Sequence, residues 1–230
     1  MSLIDLHTHT RHGSVCGYMW SDELVERAKS IGLDGVCITE HDSFWSSERI
    51  RRLAEKHEFP VIGGAEITSD CGDVLVFGLD KLPLNVSSIR EIRKRVDDAG
   101  GVMIAAHPFR GLAASAGIRE ITTALVDRLV ESPLVQHVHE LEVLNGASGA
   151  WERRLARAVA GRTGRIGTGG SDAHGIMMVG ACYTRFENEI SSEETLVQAL
   201  RDGRFTAADN LVYRQPLAKQ PVTDRTESRM

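Results

Sequence analysis

The chain has 230 residues, 42% of them hydrophobic and 26% charged, the proportions of an ordinary globular protein. A chain this long buries enough surface to fold without disulfides. Its net charge of −5 argues against nucleic acid as the main partner, which usually leaves a basic excess, although buried carboxylates would push the count the same way.

Cys16, Cys37, Cys71 and Cys182 form no C-x-x-C pair and no disulfide framework. Reduced thiols and a cytoplasmic location are expected. The N-terminus reaches Asp5 and His7 at once, so no signal peptide is expected. No apolar run has the ~18 residues of a membrane helix.

Short apolar runs alternate with amphipathic stretches. Leu3–Leu6 is the first strand. Ser21 offers a cap to a helix with Leu24, Val25, Ala28 and Ile31 at helical spacing, and Gly32 stops it. Gly35–Thr39 is the second strand, Ser46 or Ser47 caps the second helix, and Val61–Thr68 is the third strand. Asp70–Asp73 reads as a turn into Val74–Phe77, a hairpin or an added strand. A helix over Ser88–Ala99 precedes a strand at Val102–Ala106. A helix over Arg119–Val130 precedes a strand at His139–Leu144. A helix over Ala150–Ala160 then leads to a strand at Ile166–Gly169, and Glu193–Leu200 is a late helix. This order predicts a mainly parallel α/β sheet, with a barrel favoured over an open sheet. The polar stretch from about Leu211 to Met230 reads as a loose extension.

Parallel α/β proteins place chemistry at the C-terminal ends of their strands. The first strand ends in Asp5-Leu6-His7-Thr8-His9, where two imidazoles on one face can chelate an ion and Asp5 can orient one of them. The second ends in Thr39-Glu40-His41-Asp42, with His41 the favoured ligand. The third ends in Gly63-Gly64-Ala65-Glu66, whose glycines allow close backbone approach and leave room around a carboxylate able to bridge two metals. His107-Pro108 follows the next run, and Arg110 beyond it suits an anionic substrate group. Gly169-Gly170-Ser171-Asp172-Ala173-His174 permits a turn that brings Asp172 and His174 inward. His137-Val138-His139 has the spacing of the first motif but begins its strand, so it is expected not to bind. Of Glu142 and Asn145 at the useful end, Asn145 is the better candidate. His57 reads as structural.

Imidazoles mixed with carboxylates suit zinc, manganese or iron. Seven plausible ligands (His7, His9, His41, Glu66, His107, Asp172 and His174) exceed one four-coordinate ion, so at least two divalent cations are expected. Glu66, Asp172 and His174, with Arg110, are the expected catalytic groups.

Asp5-Leu6-His7-Thr8-His9-Thr10, Ile38-Thr39-Glu40-His41-Asp42, Gly64-Ala65-Glu66, Ala106-His107-Pro108 and Gly170-Ser171-Asp172-Ala173-His174 together resemble the PHP (polymerase and histidinol phosphatase) superfamily of metal-dependent phosphoesterases. The resemblance implies a distorted (β/α)7 barrel in a single domain over residues 1–210, with 211–230 as a polar extension. It implies a first metal on His7, His9, Glu66 and Asp172, a second on Glu66 and His107, and a third on His41 and His174. Family members often complete the third metal with an Asp or His after the first motif. Here Arg11–Cys16 offers His12, with Cys16 behind it. Asn145 stands where the second metal often has a His, and Glu40 replaces the usual Asp. Glu40, Asp42, His12 and Asn145 are therefore further candidate ligands.

The expected reaction is hydrolysis of a small phosphorylated metabolite or nucleotide by a water activated at a multinuclear site. A metal-dependent C–N hydrolase and a non-catalytic module of the same fold are the alternatives. The partner expected is a small phosphorylated substrate, with no membrane.

Overall fold

The computed structural model describes residues 1–14, 16–83 and 86–209, so the extension expected from Leu211 lies outside the described residues. In chain order the elements are β1 (Ser2–Asp5), α1 (Ser21–Ser30), β2 (Gly35–His41), α2 (Ser47–His57), β3 (Val61–Ser69), β4 (Gly72–Phe77), α3 (Ile89–Asp98), β5 (Val102–Ala105), α4 (Leu112–Ala116), α5 (Thr123–Val130), α6 (Pro133–His137), β6 (Glu140–Asn145), α7 (Ala150–Arg162), β7 (Thr168–Gly170), β8 (Cys182–Phe186), α8 (Glu193–Asp202) and β9 (Phe205–Asp209).

The strands pair in the order β7-β6-β5-β4-β3-β2-β1-β8-β9. β1, β2 and β3 are parallel, as are β5, β6 and β7, while β4 is antiparallel to both its neighbours. The Asp70–Asp73 turn is too short for a parallel crossover, which needs a dozen residues or more, so it closes a hairpin and the β/α alternation lapses once. The open edges then meet. Thr8 beyond β1 bridges Ala173 beyond β7, and the His9 N–H donates to the Ala173 carbonyl at 2.9 Å. β1 to β7 thus form a nearly closed barrel of seven strands. β8 pairs antiparallel with β1 and carries β9 outside it.

Alternation divides the core. Ile62, Leu75, Phe77, Val102 and Ile104 fill the interior, while Ala65, Ile67, Val74, Val76 and Met103 face outward onto α3, α5, α6 and α7. Leu196, Ala199 and Leu200 of α8 join the interior group. Glu193 at the start of α8 accepts the Gly78 N–H at 2.6 Å, and Arg201 at its end donates to the Gly101 carbonyl at 2.9 Å. α8 therefore stoppers the barrel at the end where β4 finishes and β5 begins, and chemistry is left to the opposite mouth.

Several local expectations change. The first helix is capped by Trp20, whose N–H donates to Glu23 at 2.7 Å, and Ser21 is already its first residue. The helix expected from Arg119 starts only at Thr123, because Thr122 accepts the Leu125 N–H and sets the cap. α4, α6, β8 and β9 are additions that local periodicity did not mark.

Candidate metal centre

His7, His9, Glu66 and Asp172 converge at the mouth, each at most 1% exposed, and their ligand-type atoms lie within 4.8 Å of one another. The run beyond β1 delivers the two histidines, the inward face of β3 delivers Glu66, and the turn after β7 delivers Asp172. Asp172, His107 and Asp42 all take positive φ (+54°, +31° and +49°), a costly backbone for residues other than glycine. Three strand ends are thus strained where the site is built.

The protonation pattern points to a cation. The Glu142 carboxylate lies 3.1 Å from His7 Nδ1, so that nitrogen carries the hydrogen and Nε2 presents a lone pair. The Ser14 hydroxyl donates to Glu40 at 2.5 Å and must accept from His9 Nδ1 at 3.3 Å, which leaves His9 Nε2 as a second lone pair. Both face Glu66 Oε2, at 3.3 Å and 3.2 Å, yet all three atoms are buried without a hydrogen bond. Lone pairs facing lone pairs out of reach of solvent are unfavourable. A cation among them removes the conflict, so the donor set fits a metal.

The electrostatics agree. Burial works against charge on His7, but Glu142, Glu66 and Asp172 outweigh it and hold its pKa well above the ordinary range. Burial would raise Glu66, but His7, His107 and His41 bring it far below the usual carboxylate range. Asp172 is lowered likewise, against burial, by His7, His9 and Arg110. This pocket attracts positive charge, whether proton or metal.

Two further groups adjoin the first. His9, His41 and His174 come together on one side, and Glu66, Asp73 and His107 on the other. His41 Nδ1 lies 3.0 Å from Glu66 Oε2, and His107 Nε2 lies 2.8 Å from Glu66 Oε1, so Glu66 belongs to two of the groups and touches His41 of the third. Asp73 was missed by the sequence reading. Its signal was present: it shares a strand face with Leu75 and Phe77, and a hairpin brings the start of β4 to the mouth.

Other candidates have different places. Glu40 is buried but accepts hydrogen bonds from the Thr10 N–H, the Thr10 hydroxyl and Ser14, so it ties down the loop after β1 and belongs to no ligand group. Asp42 accepts the Thr68 N–H at 2.8 Å, again apart from the ligand groups. The His12 ring stands against Trp20 and Trp45, at 4.8 Å and 5.8 Å. Cys16 belongs to none of the ligand groups. Asn145 donates to Glu142 at 2.9 Å and to Asp172 at 3.3 Å, so it braces carboxylates. Arg110 donates to Asn145 at 2.9 Å and pairs with Asp172, reaching the site from the half-exposed rim.

Asp5 does not orient a histidine ring. Its carboxylate accepts the backbone N–H groups of His7, Ser171 and Gly180, and the orienting carboxylate is Glu142. The glycines of β3 allow close approach, as expected, whereas those of β7 do not make the turn expected of them. Gly64 makes room for the Phe77 ring, and a Cβ on Gly170 would fall 2.5 Å from the His7 Cβ. Their role is close approach, while Asp172 itself makes the turn. His137 and His139 lie at the far end of β6. His139 Nδ1 accepts the Met103 N–H and its Nε2 faces Asp97 at 3.2 Å. His57 sits between Asp22 and Glu26.

The PHP domain model matches residues 5–125, and a PHP-associated model matches residues 150–205. The chain is 26% identical over 126 residues to an uncharacterized protein of Methanocaldococcus jannaschii, covering 50% of this chain and 72% of that one. Among solved structures it is similar to a metal-dependent phosphoesterase from Bifidobacterium adolescentis, so described, with a TM-score of 0.59, 19% identity, and 87% and 96% of the two chains covered. It is also similar to the lesion-specific endonuclease of Pyrococcus furiosus, with a TM-score of 0.57, 18% identity, and 90% and 57% covered. Likeness at this identity speaks to the fold, and the domain model spans more than half of the chain. No helix among the described residues is long and apolar enough to cross a membrane. The chain belongs to the PHP family, whose members are metal-dependent hydrolases.

Proposed function

We propose that this protein is a metal-dependent phosphoesterase acting on a small phosphorylated metabolite or nucleotide. One observation carries the reading: His7 Nε2, His9 Nε2 and Glu66 Oε2 converge, buried and without hydrogen bonds. His7, His9, Glu66 and Asp172 would hold one cation, Glu66, Asp73 and His107 a second, and His9, His41 and His174 a third. Divalent zinc, manganese or iron held there supplies Lewis acidity, acidifying a water and neutralising phosphoryl oxygens. The chain's own groups do the rest. Glu142 and Ser14 fix the tautomers of His7 and His9. Arg110, on the rim beside Asp172, binds the phosphoryl group and offsets its growing charge. Asn145 keeps Arg110 and Asp172 in register. α8 closes the far end of the barrel, so the mouth is the approach for water and substrate.

The test is a screen of phosphorylated metabolites with manganese, zinc and iron supplied separately, run beside amides and cyclic amides. Phosphoester turnover that is lost on stripping metal and in Glu66→Gln is expected. Full turnover in a sample verified as metal-free would overturn the reading, and turnover of amides alone would replace it with C–N hydrolysis.

A further inference from the structure

A cavity of about 430 Å³ lies outside the metal centre, between α2, the start of β3, the loop after β4 and the start of α8. Its origin is topological. A hairpin joins β3 to β4, so no crossover helix follows β3 to fill the space beside α2. Ile50 and Ala54 of α2, Val61 of β3, and Phe44 and Leu79 give the cavity apolar walls. Its volume is in the range of small-molecule sites, ~300–1,000 Å³, and no candidate metal ligand lines it.

Two features of the lining point to a ligand. Trp45, where α2 begins beyond β2, is 8% exposed, and its Nε1 is buried without a hydrogen bond among the described residues. The Arg49 guanidinium already covers the ring face at 3.3 Å, so the indole N–H is the group left in need of an acceptor. Asp80, Glu193 and Glu194 line the stoppered end. Among the described residues Arg51 is the one cation in the lining, and Glu48 and Glu55 each hold it at 2.6 Å. Burial raises the Glu193 carboxyl above its ordinary value, and Asp80 and Glu194 add to the rise against the Gly78 N–H that Glu193 accepts. An apolar slot with a carboxylate end complements a cation.

We propose that this cavity binds a small amphipathic cation. Its apolar body lies against Ile50, Ala54 and Leu79, its protonated amine faces Asp80 and Glu194, and a hydrogen-bond acceptor on it takes the Trp45 indole N–H. The site is separate from the phosphoesterase reading, and neither depends on the other. An occupant leans on the strand that carries Glu66, two residues beyond Gly64 of the cavity floor, and leaves the mouth free for substrate.

Phenylalaninamide supplies all three groups, and N-acetylphenylalaninamide lacks only the charged amine. Binding of each to the full chain is measured by calorimetry, with and without added manganese. Phenylalaninamide should bind at least about 3-fold more tightly than its acetylated form, the scale of a partly exposed ion pair. It should also shift the Trp45 indole N–H resonance, assigned by its loss in Trp45→Phe. Ala54→Phe should fill the cavity and abolish binding. Asp80→Asn combined with Glu194→Gln should erase the preference for the amine, and this pair suffices if Ala54→Phe fails to fold. No binding, equal binding of the two amides, or an unmoved Trp45 resonance overturns the proposal. Binding that survives Ala54→Phe, or that appears only with manganese, would assign the amide to another place and overturn it as well.

Discussion

Glu142 lies 3.1 Å from His7 Nδ1 and also accepts the His107 N–H at 2.8 Å. One carboxylate thus sets the tautomer of a candidate ligand beyond one strand and the strained backbone of a candidate ligand beyond another. Glu142→Gln can present its amide nitrogen to His7 and reverse that tautomer. Loss of a ligand's orienting partner typically costs ~10- to 100-fold in metal affinity. That loss is expected here with the fold intact by circular dichroism, and competition against a chromophoric chelator measures it. Unchanged affinity would refute the orienting role.

Ser14 links Glu40 to His9. Ser14→Ala removes the acceptor that holds hydrogen on His9 Nδ1, so metal affinity should fall by about 10-fold, at the lower end of such effects. Glu40→Gln should lower thermal stability, because Thr10 and Ser14 lose their charged acceptor, yet leave metal stoichiometry unchanged. A lost equivalent of metal by elemental analysis would make Glu40 a ligand after all.

Gly170→Ala tests the close approach of β7 to the site. The added Cβ would sit 2.5 Å from the His7 Cβ and 2.6 Å from Glu142 Oε1, and neither neighbour can yield without disturbing the ligand set. Overpacking of this kind costs ~1–3 kcal/mol, read as a lower midpoint in urea. Metal affinity should fall with it. Gly161→Ala, with open space around its Cβ position in α7, should be neutral or stabilising by the same measure.

Glu140 lies at the stoppered end, away from the candidate metal centre, and burial raises its pKa above the ordinary value despite the Gly167 N–H it accepts. A carboxyl raised on folding binds its proton more tightly in the native state. Its contribution to stability is therefore present below the unfolded pKa and lost as pH rises through the folded one. Glu140→Gln removes that dependence. The stability of the variant relative to wild type should increase from pH 4 to pH 7, followed by denaturant unfolding of metal-free protein at each pH. A difference that stays flat or falls over that range would show that the buried charge is compensated.

The sequence by itself determined the strand–helix order through β7, apart from α4 and α6, and the candidate ligand types at the strand ends. Both are local: apolar periodicity marks which residues are covered, and a His or Glu immediately after a covered strand has little choice about which end of a barrel it occupies. The same reasoning separated His7 and His9 from His137 and His139, which share a spacing but not an end. Tertiary structure decided what depends on contacts between distant strands. Glu142 meets His7 across 135 residues, Asp73 reaches the mouth only because β4 turns back on β3, and Gly170 is small because His7 lies beside it. Glu40 and Asp42 have the right chemistry in the right segment. Whether such a carboxylate meets a metal or a backbone N–H is settled by side-chain direction, which folding imposes and local periodicity does not record.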